Sequence, residues 1–112
     1  MNSITTHILD TKLGRPAAGV PVVLEKQKEA NWEELARAVT NRDGRTDALV
    51  PPGSLDGGVY RLNFATGAYF ASQHTATFYP YVAIAFEVTD TSQHYHVPLL
   101  LSPFGYSTYR GS

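Results

Sequence analysis

Polarity alternates along this chain in short runs separated by turn-forming residues. Residues 59–65 place Tyr60, Leu62 and Phe64 on one side and Arg61 and Asn63 on the other, and residues 82–88 repeat the pattern with Val82, Ile84, Phe86 and Val88. A period of two marks a strand with one buried face. Residues 4–9 read the same way, with Ile4, Thr6 and Ile8 opposite Thr5, His7 and Leu9. Asp10, Gly14 and Pro16 break that run before alternation resumes over residues 20–25, and the two segments are predicted to be neighbouring strands. A further strand is expected over residues 32–40. The Asp43-Gly44 step, suited to positive φ, then turns the chain into a short strand over residues 45–49, which Pro51, Pro52 and Gly53 end. Tyr69, Phe70 and Gln73 have helical spacing and predict one or two helical turns over residues 67–73. Together these elements predict an all-β sandwich or barrel of about eight strands with one short helix, not a chain of alternating βα units.

The strand expected over residues 94–101 departs from simple alternation. Tyr95, Val97, Leu99 and Leu101 share one face, but the other carries His94, His96, Pro98 and Leu100, which is no ordinary solvated surface. In a one-domain sandwich the inner face meets the other sheet, so the second face calls for another cover. A second copy of the chain, related by a two-fold axis, would supply it, which predicts an oligomer with His96 in the interface. The chain then ends in Tyr109, Arg110, Gly111 and Ser112, hydrogen-bonding groups of little use in a free tail, and this ending is read as part of a site.

Composition narrows the chemistry. The chain has 112 residues, near the usual size of one domain, and residues 1–112 are expected to form a single unit. It has no cysteine, which removes disulfide scaffolds, thiol nucleophiles and cysteine zinc sites. Nine basic against ten acidic residues give a net charge of -1, without the basic excess of a nucleic-acid binder. No stretch approaches the roughly 20 apolar residues of a membrane-spanning helix, and the first residues lack the regions of a signal peptide. A soluble, cytoplasmic protein is expected, or a periplasmic one if a leader was removed.

The candidate reactive groups are few. His7 points outward if Ile4 and Ile8 point inward, and Arg45 follows a turn between Asp43 and Asp47; either could be no more than a solvated side chain. His94 and His96 lie on one strand face and, with His7, could form the three-histidine set of a catalytic zinc site. Ser107 and Ser112 sit beside no nucleophile-elbow pattern, and Gly57-Gly58 is a turn and no phosphate loop.

Three blocks carry a resemblance along essentially the whole chain. They are residues 6–10 with Gly14-Arg15-Pro16-Ala17 behind them, Gly44-Arg45-Thr46-Asp47, and residues 94–103 together with the Tyr109-Arg110-Gly111-Ser112 ending. In these blocks the chain resembles the 5-hydroxyisourate hydrolases, the transthyretin-related enzymes of purine catabolism, and the Tyr-Arg-Gly-Ser ending separates them from transthyretin itself. The resemblance implies a transthyretin-like two-sheet sandwich and a homotetramer with active sites where dimers meet. It also implies hydrolysis of 5-hydroxyisourate without a cofactor or metal. Its catalytic residues map onto His7, Arg45, His96 and Ser112, with Tyr109 and Arg110 shaping the substrate pocket. The two competing readings are a non-catalytic transthyretin-like carrier, which would waste two histidines and an arginine, and a zinc hydrolase, which would ignore Arg45 and the tail.

Overall fold

The structure, a computed structural model, describes residues 3–112. Eight strands and one helix follow in the order β1 (Ile4–Asp10), β2 (Arg15–Pro16), β3 (Pro21–Lys28), β4 (Asn31–Val39), β5 (Gly58–Phe64), α1 (Thr66–Ala71), β6 (Val82–Val88), β7 (Tyr95–Ser102) and β8 (Gly105–Thr108). They form two four-stranded sheets, β2-β1-β7-β8 and β4-β3-β5-β6. The inner faces meet in one core, where Ile4, Ile8, Leu24, Leu62, Phe64 and Leu99 are fully excluded from solvent. Burying a side chain of this size is worth about 1.5–3 kcal/mol, so a one-residue slip of any central strand would forfeit several such terms at once. The helix packs Thr66, Tyr69 and Phe70 inward. Its Tyr69 hydroxyl donates to the fully buried Asp10 carboxylate at 2.7 Å, and the Leu13 backbone N–H donates to the same carboxylate at 3.0 Å.

Two expectations need correction. Residues 4–9 and 20–25 are not neighbours: β1 lies in one sheet between β2 and β7, and β3 lies in the other between β4 and β5. The connection between them is long enough to cross from layer to layer, and alternation within a strand does not identify its partner. Residues 45–49 do not form a strand either. They run beside β1 with only intermittent bonds, Thr46 N–H to Thr6 C=O at 3.3 Å and Leu49 N–H to Ile4 C=O at 2.9 Å. Arg45 makes an isolated antiparallel bridge to His7. Two short strands, β2 and β8, bring the number to eight.

Candidate active site

The parallel pairing of β1 with β7 builds the site. Its register sets Ile4 opposite Tyr95, Thr5 opposite His96 and His7 opposite Pro98. Register partners point to the same face, so Ile4, Thr6 and Ile8 enter the core with Tyr95, Val97 and Leu99. Thr5, His7, His96 and Pro98 stand on the outer face, with His7 and His96 as diagonal neighbours.

Arg45 reaches that face through a tight turn. The Asn41 side-chain carbonyl accepts from the N–H groups of Asp43 and Arg45, and Gly44 N–H donates to Asn41 C=O. Gly44 has φ +73°, and a Cβ there would lie 2.5 Å from the Ile8 carbonyl oxygen. No other residue lets the turn lie this close to β1, where Ile8 N–H donates to Gly44 C=O at 2.8 Å.

The C-terminus returns across the same face. Pro98 has no N–H, and the β7–β8 ladder begins only at Leu99 opposite Thr108. The Thr108 hydroxyl donates to the Pro98 carbonyl at 2.7 Å, and Gly111 N–H donates to His96 C=O at 2.9 Å. Gly111 therefore lies against the His96 ring, and Ser112 follows, exposed, one residue beyond. Arg110 takes another direction: its guanidinium stacks 4.6 Å from the Tyr95 ring centroid and donates to Gln93 Oε1 at 2.7 Å. Tyr109 and Arg110 border a cleft of about 260 Å3 beside β6, which His96 also lines. The structure thus brings His7, Arg45, His96 and Gly111 together, leaves Ser112 exposed one residue beyond, and stacks Arg110 on Tyr95 instead.

Electrostatics prepare both imidazoles to be neutral. Burial, and then the Arg45 guanidinium, lower the pKa of His7, while a backbone hydrogen bond and the charge of Asp43 partly oppose this. Burial also lowers His96, followed by Arg45, His7 and His94. A neutral imidazole can accept a proton, and Arg45 supplies the fixed positive charge beside it. The His94 and His96 rings both turn a nitrogen to the Thr5 hydroxyl. Among the described residues no three His, Cys, Asp or Glu side chains converge as metal ligands would, so the alternative three-histidine zinc set has no assembled counterpart. The fourth histidine, His74, sits just past α1 at φ +53°. Thr5 was placed on this face by alternation, but nothing in the sequence marked it as a partner of either ring.

The chain has relatives along essentially its whole length. Residues 4–111 match the HIUase/Transthyretin family, and the chain belongs to it. It is 50% identical over 111 residues to the 5-hydroxyisourate hydrolase of Salmonella dublin, covering 99% of this chain and 82% of that protein. The structure of Klebsiella pneumoniae 5-hydroxyisourate hydrolase superposes with a TM-score of 0.87 at 40% identity, covering 98% of this chain and 99% of that one. Sea bream transthyretin, solved in complex with thyroxine, superposes at 0.92 with 31% identity, covering 97% and 94%. The fold is thus transthyretin-like, as expected.

Proposed function

We propose that this protein is a 5-hydroxyisourate hydrolase that opens the six-membered ring of its substrate to give 2-oxo-4-hydroxy-4-carboxy-5-ureidoimidazoline. The observation that carries this reading is the meeting of His7, His96 and Arg45 on one sheet face. Ring opening needs a base for water, a counter-charge for the oxyanion and a proton for the leaving nitrogen. Two imidazoles held neutral can supply proton acceptance and return, and a guanidinium offers planar, paired donors to urate-like oxygens. The Ser112 hydroxyl or terminal carboxylate lies close enough in sequence to the pinned Gly111 to orient a histidine or the substrate. No cofactor is needed, because every group invoked belongs to the chain.

The same face explains an assembly. On a single chain it is a sheet surface on which Leu100, His96 and His7 are half-buried and Pro98 is buried, and a second copy would close it further and exclude water. The reading is a homotetramer with sites where dimers meet, of mass near four times 12.3 kDa. Two measurements test the proposal. Ultraviolet absorbance of freshly generated 5-hydroxyisourate should decay faster with the protein in metal-free buffer; a decay unchanged by protein, or one restored only by zinc, refutes the reading. Light scattering should give the tetramer mass, and an active monomer would refute the interface.

A further inference from the structure

The outer face carries one more polar group than the mechanism above uses. The Thr5 hydroxyl oxygen lies 2.8 Å from His96 Nδ1 and 2.9 Å from His94 Nε2. A hydroxyl has one proton and two lone pairs, so it cannot donate to both rings, and at least one ring must carry a proton on the nitrogen that faces Thr5.

His94 decides which ring that is. Its other nitrogen, Nδ1, is buried and has no hydrogen-bond partner. If His94 accepted from Thr5, a neutral ring would hold its proton on Nδ1 and bury an N–H with no acceptor. Orphaned buried N–H groups are rarer than under-used acceptors. With the proton on Nε2 instead, His94 donates to Thr5 and buries only a bare nitrogen. Among the described residues Thr5 Oγ1 makes no third hydrogen bond, so its single proton is satisfied only when directed at His96 Nδ1, and a neutral His96 then keeps its own proton on Nε2. His7 is constrained differently: its register partner is Pro98, and a ring N–H donates to the Asp43 backbone carbonyl, which leaves the other ring nitrogen as the acceptor.

We infer that Thr5 and His94 are positioning residues that hold His96 in the Nε2–H tautomer. His96 then meets the substrate as a neutral hydrogen-bond donor, and His7 is the group that takes the proton from water. The proton balance closes within this arrangement. The water oxygen bonds to the ring carbonyl carbon as its proton passes to His7. When the ring carbon–nitrogen bond breaks, His7 returns that proton to the leaving nitrogen, and His96 stays neutral throughout. The substrate step rests on the hydrolase reading, whereas the tautomer does not.

Two-bond 1H–15N spectra of the labelled, ligand-free protein, taken at pH about 8 and above the ordinary histidine range, read the tautomer without any reference to activity. His94 and His96 should both show a protonated Nε2 and a bare Nδ1; a proton on His96 Nδ1 overturns the inference. Thr5→Val keeps the branched shape that suits a strand and removes only the hydroxyl. It should convert His96 to a mixture of tautomers and lower kcat at least ~10-fold with KM changed less than about threefold, and Thr5→Ser should restore both. A Thr5→Val protein with wild-type kcat and a pure Nε2–H His96 overturns it as well. If the wild-type protein fails to hydrolyse 5-hydroxyisourate, the proposed function falls, and the spectra still decide the role of Thr5. If Thr5→Val does not fold, the wild-type spectra and Thr5→Ser kinetics decide it.

Discussion

Gly111→Ala is a one-carbon perturbation whose effect follows from three distances. The new Cβ would lie 2.6 Å from His96 Cδ2, 3.1 Å from Pro98 Cγ and 3.3 Å from His96 Cγ. Carbon atoms rest at about 3.5–4.0 Å, so roughly 1 Å of separation must be found. The His96 ring cannot easily give it, because Thr5 holds Nδ1 at 2.8 Å, and Pro98 is buried in β7. The tail must lift, and the 2.9 Å bond from Gly111 N–H to His96 C=O is lost. One net hydrogen bond is worth about 1 kcal/mol, which lowers Tm by about 4 °C in a domain of this size. Activity should suffer far more, because a displacement of about 1 Å at an assembled site costs on the order of 100-fold. The assay is 5-hydroxyisourate decay beside a thermal melt. Gly105→Ala serves as the control, since its Cβ would meet only Ser102 Oγ at 3.8 Å. A Gly111→Ala protein with full turnover, or a control equally impaired, would refute the claim that the tail is seated against His96.

Arg45→Ala removes a cause of the lowered pKa of both His7 and His96, so NMR titration should show both rise toward the ordinary value; the sign follows because a nearby cation disfavours the imidazolium. In the wild-type protein the acid limb of kcat/KM should accordingly fall below pH ~6.5, and a midpoint above that value would count against neutral histidines as the working form. His7→Asn and His96→Asn should each reduce kcat by about 100-fold or more, and the double variant should lose less than the product of the two if both act on one transition state; strictly multiplicative losses would separate them. Tyr69→Phe deprives the buried Asp10 carboxylate of its 2.7 Å donor and should cost about 1–3 kcal/mol in chemical denaturation, with activity retained in the folded fraction. An unchanged unfolding midpoint would show that the Asp10 carboxylate does not depend on this bond.

Local periodicity made most strands legible. Tyr60, Leu62 and Phe64 were read as one inward face and are all buried, and the helical spacing of Tyr69 and Phe70 corresponds to α1. Strand pairing was not legible in the same way. The partner of β1 lies near the far end of the chain, with Thr5 and His96 separated by 91 positions, and no local pattern records a parallel pairing across that distance. Residues 45–49 failed as a strand for a related reason. Their polarity suits a strand, but only scattered N–H groups find β1, and Pro51 and Pro52 leave no donors with which to extend the ladder.

The candidate site divides along the same line. His7 and His96 could be placed outward from alternation alone, whereas Arg45 and Gly111 reach them through isolated bridges that depend on three-dimensional closure. What joins the two parts is the core. The inward residues of β1 and β7 fix the register that sets Thr5 opposite His96, because a one-residue slip of β7 would turn Val97 and Leu99 outward and carry His96 into an apolar interior. Apolar burial therefore positions the polar face without any contact between the two, and the glycines at 44 and 111 then let backbone approach where a side chain would collide. On this account a core substitution in β1 or β7 that preserves volume should spare the site, while one that shifts register should abolish it even though no reactive group is touched.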